Sequence, residues 1–196
     1  MTLNEAELRE KVATAGDRAI AYKEQGFHCS ESVFLAINEV LGITDPCMVR
    51  AVTGFHGGGG THRLEPEVNL TGLLEDVAAG RNTEPPIEQV GHLCGALASG
   101  IASMGLLHGR CTPTDDLTCV DELCFELHRR FSEELGEKNC KALREKWVPL
   151  SENQTCDHIY RVGARLAVEI ALRAEELVAE CMPLEEAKAS AEIPGQ

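Results

Sequence analysis

The segment Gly91–Arg110 constrains this chain more than any other stretch. It reads GHLCGALASGIASMGLLHGR, and its small residues recur at three- and four-residue steps along one predicted helix face: Gly95, Ala98, Ser99, Ala102, Gly105 and Gly109. A glycine inside a helix costs about 0.5–1 kcal/mol relative to alanine, so several of them indicate that a neighbouring helix or a cofactor approaches this face closely. We therefore take the segment as the central helix and Cys94 as its working residue.

The composition favours an all-α fold. Aromatic residues make up 4% of the 196 residues, and no segment alternates with the two-residue period of a strand. We predict a single-domain helical bundle of about five to seven helices over residues 1–181, followed by a frayed tail at 182–196. The acidic, interrupted stretch 64–90 is predicted to be an inserted surface segment or lid, with at most one short helix.

The formal charge of −14 argues against nucleic acid and anionic membrane surfaces as partners, and it would steer a basic partner toward the protein. The longest uncharged run, 93–108, is shorter than the roughly 20 residues of a membrane helix. The first twenty residues lack the apolar core of a signal peptide, so we expect a cytoplasmic location.

Periodicity and capping residues predict the helix boundaries. The first helix is expected over 2–25, with Thr2 and Glu5 at capping-box spacing. Further helices are predicted after Ser30 up to Gly42, from Asp45 to Gly54, up to about 108, near 115–135, from Cys140, and over about 155–179.

The sequence FHGGGGTHR interrupts the helical pattern. Its glycines, Gly57, Gly58 and Gly59 among them, can turn backbone amides toward an anion or let a cofactor approach. The loop matches neither the Walker nor the dinucleotide fingerprint, so a flexible or tightly packed loop is the alternative. His56 and His62 flank the loop and could line the same pocket.

Nine cysteines are many for a chain of this length. Their odd number and the absence of a signal peptide argue against a disulfide framework. Metal ligation, redox chemistry and simple burial in the core are the remaining interpretations.

Three of the cysteines, Cys29, Cys140 and Cys156, fall at predicted helix starts. The partial positive charge and unpaired amides there stabilise thiolates and are expected to lower the thiol pKa. If these helix starts meet at Cys94, four thiolates surround one site, which is the ligand set of an iron–sulfur cluster or a structural zinc ion. His28 and His92 flank proposed ligands, where an imidazole could hydrogen-bond a sulfur or replace one thiolate.

The other cysteines have weaker patterns. Cys119 and Cys124 are five residues apart, about 140° around a helix, so they are not expected to share a metal. Cys124 lies on an apolar stripe and is assigned to the core. Cys111 follows the central helix and is either near the site or a spare thiol, and Cys47 and Cys181 are taken as structural or incidental.

The order of HCSES, GFHGGGG and CGALASGIASMGLLHGR, followed by the isolated Cys140 and Cys156, resembles the C-GCAxxG-C-C family of redox-active proteins. The resemblance covers roughly 15–60 and 91–175. It implies a helical, redox-active iron–sulfur protein related to the cluster-bearing part of split-Soret cytochromes. The chain departs from the family pattern at Ser99, with the glycine displaced to Gly100, in the 64–90 insertion, and in its additional cysteines.

We therefore expect a redox protein that transfers electrons through a cluster held by Cys29, Cys94, Cys140 and Cys156, with Gly57, Gly58, Gly59, Gly95, His28 and His92 around it. A redox partner protein and a homodimer are expected. Three alternatives remain: an enzyme with an open iron site beneath the 64–90 lid, a thiol–disulfide oxidoreductase, and a zinc-stabilised interaction module.

Overall fold

The computed structural model describes residues 3–43, 46–63 and 87–191. Its α-helices are α1 (Glu5–Glu24), α2 (Cys29–Leu41), α3 (Gly95–His108), α4 (Thr118–Leu135), α5 (Cys140–Trp147), α6 (Asp157–Leu172), α7 (Ala174–Leu177) and α8 (Leu184–Ala191). Short 3-10 helices span Pro46–Ala51, Thr53–Gly58 and Val148–Leu150, and two strands, β1 (Thr61–Arg63) and β2 (Ile87–Gln89), pair antiparallel. The mainly helical fold class predicted from the sequence is confirmed.

Local signals in the sequence explain several helix ends. The capping box of α1 uses Asn4 and Glu7, so the predicted Thr2–Glu5 pair is wrong: the Asn4 side chain accepts from the amides of Ala6 and Glu7. Gly42 and Gly136 end α2 and α4 in the left-handed conformation, as their positions after apolar stripes predict.

The core forms around α6, which packs against α1, α2, α3 and α4. The small residues of α3 allow part of this packing. A Cβ atom placed on Gly163 of α6 would lie 2.9 Å from the Cβ of Ala96, and one on Gly100 would lie 2.7 Å from Leu127 Cδ2. The predicted close approach is therefore present at these positions, whereas a Cβ on Gly105 would meet nothing within 4 Å.

The structure describes the predicted 64–90 insertion only at its C-terminal end. Residues 64–86, including the short helix expected there, lie outside the described part of the chain. At the end of the segment, Ile87–Gln89 pairs with Thr61–Arg63, so the segment leaves and returns beside the glycine loop. The sequence pattern predicted no strand here, because three-residue strands are too short to show a period.

The C-terminal segment differs from the predicted frayed tail. Residues Leu184–Ala191 form α8, which packs on α3 and buries Ala187 completely. No helix within the described ranges is long and apolar enough to cross a membrane.

A disulfide joins Cys119, at the start of α4, to Cys181, between α7 and α8. Cys181 was assigned as structural or incidental, and the disulfide gives it a structural role. The argument against disulfides is wrong at this pair. The two residues are 62 positions apart, and their proximity depends on the packing of α8 on α3. Neither spacing nor periodicity carries that information.

Candidate functional site

Four helices begin at cysteines. Cys29 and Cys140 are the first residues of α2 and α5, and Cys94 and Cys156 are the N-cap residues of α3 and α6. The sequence predicted helix starts at three of these positions but placed Cys94 inside a helix beginning near Gly91. The central helix in fact begins at Gly95, so Cys94, like the other three cysteines, lies at a helix start.

Backbone hydrogen bonds place three chain segments side by side at this point. On one side, the segment 90–94 is hydrogen-bonded to the glycine loop. The amides of Gly91 and His92 donate to the carbonyls of Gly57 and Gly58 at 2.9 and 3.0 Å. On its other side, the amide of Cys140 donates to the carbonyl of His92, and the amide of Cys94 donates to the carbonyl of Lys138 at 3.0 Å. Cys94 and Cys140 are thereby held on adjacent strands of backbone.

Close contacts bring α2 to the same place. A Cβ atom on Gly95 would lie 2.7 Å from Cys29 Sγ and 3.0 Å from the carbonyl oxygen of Phe55. Only a residue without a side chain leaves room for the Cys29 sulfur beside the start of α3. The Ser99 hydroxyl, one turn further along α3, donates to the carbonyl of Ser30 at 2.6 Å and fixes the two helices together.

The thiols are close enough to influence one another. Burial, then the neighbouring Cys29 thiol, raises the pKa of Cys94 to about 12. Burial, then Cys29 and Cys156, raises the pKa of Cys140 to about 11, and burial raises the pKa of Cys29 and Cys156 as well. The structure thus brings all four predicted ligand residues into one electrostatically coupled group; their role as ligands stays a prediction.

The direction of these pKa shifts corrects the sequence-based expectation. Amides at the helix starts do act in the expected direction: those of Ala96 and Leu97 face the Cys94 sulfur without closing a capping hydrogen bond, and they lower its pKa. Burial outweighs this contribution, because a thiolate loses more solvation than the amides return. Without a bound cation the thiols are therefore protonated, and metal binding would release their protons.

The glycine loop contributes backbone to the site. The Gly57 amide faces the Cys29 thiol and lowers its pKa. Gly58 packs against the start of α5, where a Cβ would lie 2.7 Å from the Cβ of Cys140. Gly59 is exposed and packs toward Val90 instead, with a Cβ-to-Cγ1 distance of 3.3 Å. The first two glycines of the loop therefore meet the cysteine group, and the third lies away from it.

The two flanking histidines are placed differently. His28 precedes α2 with an exposed side chain, and its ring stacks on that of His56 with 4.9 Å between ring centroids. His92 is also exposed and contributes through its backbone, as described above. No contact between either ring and a cysteine sulfur is seen in the described residues, so their proposed roles stay predictions.

Two residues near the cysteines were missed by sequence analysis. Burial, then the thiols of Cys29, Cys156 and Cys94, raises the pKa of Tyr160, so its hydroxyl remains a donor. Arg144 lowers the pKa of Cys156 and of Cys140. Tyr160 follows Cys156 by four positions and Arg144 follows Cys140 by four, so helical spacing from each cysteine would have found both.

The remaining cysteines lie outside this group. Cys111 is exposed after the end of α3, at the opposite end of that helix from Cys94. Cys124 is half-buried, with its pKa raised to about 11 by burial and by Asp121. The predicted core position of Cys124 is consistent with its packing against the hydrophobic cluster. The side chain of Cys47 is not among those described.

Comparison with protein families supports the resemblance noted in the sequence. Residues 76–170 match the family model described as "Putative redox-active protein (C_GCAxxG_C_C)". The match contains Cys94, Cys140 and Cys156, whereas Cys29 and the glycine loop lie before it. No curated protein and no solved structure matches the chain.

Proposed function

We propose, for a chain whose residues 76–170 match the model of the C_GCAxxG_C_C redox family, that it binds an iron–sulfur cluster and transfers electrons. Its ligands would be Cys29, Cys94, Cys140 and Cys156. The observation that carries the proposal is the convergence of four cysteine-bearing helix starts on one buried group, with Cys94 and Cys140 only 5% and 6% exposed.

The chemistry of the donor set fits such a cluster. Four cysteine thiolates are the usual ligands of iron–sulfur clusters, which exchange single electrons when bound. The gap at Gly95 leaves room for the Cys29 sulfur. The amides of Gly57, Ala96 and Leu97 face ligand sulfurs, where they would stabilise negative charge and raise the reduction potential.

The spacing of the sulfurs favours a cluster over a single zinc ion. Zinc–sulfur bonds of about 2.3 Å in a tetrahedron place the sulfurs about 4 Å apart. Among the described residues, the four cysteines do not form a group whose ligand atoms all lie within 4.8 Å of one another. A cluster with several irons separates its ligand sulfurs more widely.

The raised thiol pKa values favour ligation over thiol–disulfide exchange. Catalytic cysteines of oxidoreductases have lowered pKa values, because the thiolate is the nucleophile. Burial raises the pKa of each of these four thiols. The net charge of −14 favours a basic redox partner, and a homodimer is proposed as the assembly.

Anaerobic purification after growth with added iron tests this function. Iron, acid-labile sulfide and zinc are measured, and visible and EPR spectra are recorded before and after reduction. We expect wild-type protein to contain iron and sulfide and to give a cluster spectrum. Serine variants at the four ligand positions should lose most of that absorbance, whereas Cys111→Ser and Cys124→Ser should retain it.

Each outcome decides part of the proposal. Colourless protein that holds zinc through the four cysteines would reject the redox function in favour of the zinc-stabilised module. If Cys29→Ser retains a full cluster, Cys29 is not a ligand and the convergence argument fails. Circular dichroism of each variant separates cluster loss from loss of helical structure.

A further inference from the structure

A second group of metal-ligating side chains lies at the other end of α3. His108 is the last residue of α3, Cys119 is near the start of α4, and Cys181 precedes α8. One ring nitrogen of His108 and the two sulfurs all lie within 4.8 Å of one another. The three residues are 7%, 9% and 7% exposed, so the group is buried. It shares no residue with the four-cysteine site.

His108 carries the second, independent observation. Neither of its ring nitrogens has a hydrogen-bond partner in the described part of the chain, although the side chain is more than nine-tenths buried. Buried polar groups are normally hydrogen-bonded, because an unpaired donor or acceptor loses its interaction with water and gains nothing. A buried, unpaired imidazole beside two sulfurs points to a ligand at this position.

The disulfide is one of two states open to these sulfurs. A dithiol reductant that donates two electrons and two protons would convert the Cys119–Cys181 disulfide into two thiols, while the reductant itself becomes a disulfide. Binding of a divalent cation to both sulfurs then breaks the two S–H bonds and releases two protons. One divalent cation, two thiolates and a neutral imidazole together form a buried complex with no net charge.

We propose that the reduced form of this group binds one Zn²⁺ through His108, Cys119 and Cys181. A set of two sulfurs and one imidazole nitrogen suits zinc, which takes bonds of about 2.0–2.1 Å to nitrogen and about 2.3 Å to sulfur. The ligand atoms lie within 4.8 Å of one another, and the two sulfurs, bonded to each other in the disulfide, would separate to about 4 Å around the ion. Three protein ligands leave the fourth tetrahedral position for water or another small ligand.

The two states exclude each other, since the sulfurs that form the disulfide are the metal ligands. Oxidation would expel the ion and close the disulfide, with loss of two electrons to a disulfide oxidant. Both states link the start of α4 to the segment before α8, so either one holds α8 against α3. The group is therefore a zinc site controlled by thiol oxidation.

Zinc and cobalt binding to the full-length protein test the proposal. Protein reduced with a phosphine, and protein oxidised with diamide, are each titrated anaerobically with Zn²⁺ and with Co²⁺. Zinc per chain is measured, and sulfur-to-cobalt charge-transfer bands report thiolate ligation. The variants are His108→Asn and Cys181→Ser, and the matched controls are Cys124→Ser and Cys111→Ser, which remove cysteines outside the group.

We expect reduced wild-type protein and both controls to bind one more zinc ion than Cys181→Ser. His108→Asn should lower the affinity for that zinc ion by at least about 10-fold, since even changes to residues that only contact the ligands cause such a loss at zinc sites. Oxidised wild-type protein should lose the same ion. Because Cys181 lies in an irregular segment, its serine variant is expected to fold, and circular dichroism checks both variants.

Equal zinc content and affinity in reduced wild type, Cys181→Ser and His108→Asn would overturn the proposal. So would a zinc ion that stays bound after the Cys119–Cys181 disulfide has been verified by mass spectrometry. Iron–sulfur content at the four-cysteine site is measured in the same samples. Its presence or absence has no bearing on these outcomes, so the two proposals fail independently.

Discussion

Gly95 shows how a single missing side chain can determine a site. Its position between Cys29 Sγ, the Phe55 carbonyl and the Ser30 amide leaves no space for a methyl group, since a Cβ would lie 2.7, 3.0 and 3.2 Å from these atoms. Two of the three are backbone atoms and cannot rotate away. The small-residue pattern of the sequence predicted a close approach here, but not which atoms make it.

We expect Gly95→Ala to displace Cys29 from the group and to lower iron and sulfide content by more than half. Because backbone atoms must move, it should also destabilise the protein by about 1–3 kcal/mol. Gly105→Ala is the matched control: it lies on the same helix, meets nothing within 4 Å, and should stabilise by about 0.5–1 kcal/mol. Urea unfolding and iron analysis measure both effects. Unchanged iron content in Gly95→Ala would show that Cys29 is not held by this contact.

The residues of the cysteine group were predictable because the order of the motifs and the helix-start positions of three cysteines are visible in the sequence. Their protonation was not predictable. The sign of a thiol pKa shift depends on burial, and burial of Cys94 depends on α2, the glycine loop and α5 packing around it. The proximity of His108 to Cys119 and Cys181 was not predictable either, because the three residues come from distant segments.

At the scale of single elements, charged side chains form ion pairs within α4 and between α4 and α6. Glu126 accepts from Arg129 at 2.6 Å and from Arg130 at 2.5 Å, one turn further along the helix. Arg130 also contacts Glu169 of α6 at 3.2 Å. The Arg129 and Arg130 guanidinium groups lower the pKa of Glu126 from 4.5 to about 2.

This shift predicts a pH dependence of stability. A carboxyl whose pKa is lower in the folded state stabilises the fold above its unfolded pKa, and that contribution disappears as the pH falls from about 4.5 to about 2. Glu126→Gln should therefore destabilise the protein at pH 7, by less than about 1 kcal/mol because the pair is solvent-accessible, and the difference should vanish near pH 2. Urea unfolding of both proteins from pH 7 to pH 2 tests this.

Glu122→Gln is the control, since it removes an exposed carboxylate of the same helix. A constant difference between Glu126→Gln and wild type across the whole pH range would contradict the proposed ion pairs.

Helix boundaries themselves were well predicted where glycine ends a helix, as at Gly42 and Gly136. The start of the central helix was displaced, from near Gly91 to Gly95, because its N-cap residue Cys94 is not a usual capping residue.

For the whole molecule, α3 connects two sulfur centres. Cys94 stands at its beginning and His108 at its end, and a helix of 14 residues is about 21 Å long. The helical fold class could be predicted from composition and periodicity, because these are local properties. The Cys119–Cys181 pairing and the docking of α8 could not, since both depend on contacts between segments far apart in the chain.

The disulfide predicts a large difference in global stability. Closing a loop of 62 residues stabilises a protein by about 4 kcal/mol in the chain-entropy model. Cys181→Ser should thus unfold at lower urea concentration than oxidised wild type. After reduction in the presence of a chelator, the two proteins should unfold within about 1 kcal/mol of each other. A persistent gap after reduction would show that Cys181 stabilises by packing rather than by the covalent link.

Because four helix starts meet at the site, binding of a ligand by all four cysteines requires the assembled tertiary structure. Its cysteines extend from position 29 to position 156, so only a chain that has assembled α2, α3, α5 and α6 can hold a ligand with all four. A ligand that binds only this arrangement favours it by mass action, and fraying of any one helix start weakens its hold. Release of the proposed cluster would accordingly precede global unfolding, so the loss of its colour would report local opening while the bundle remains folded.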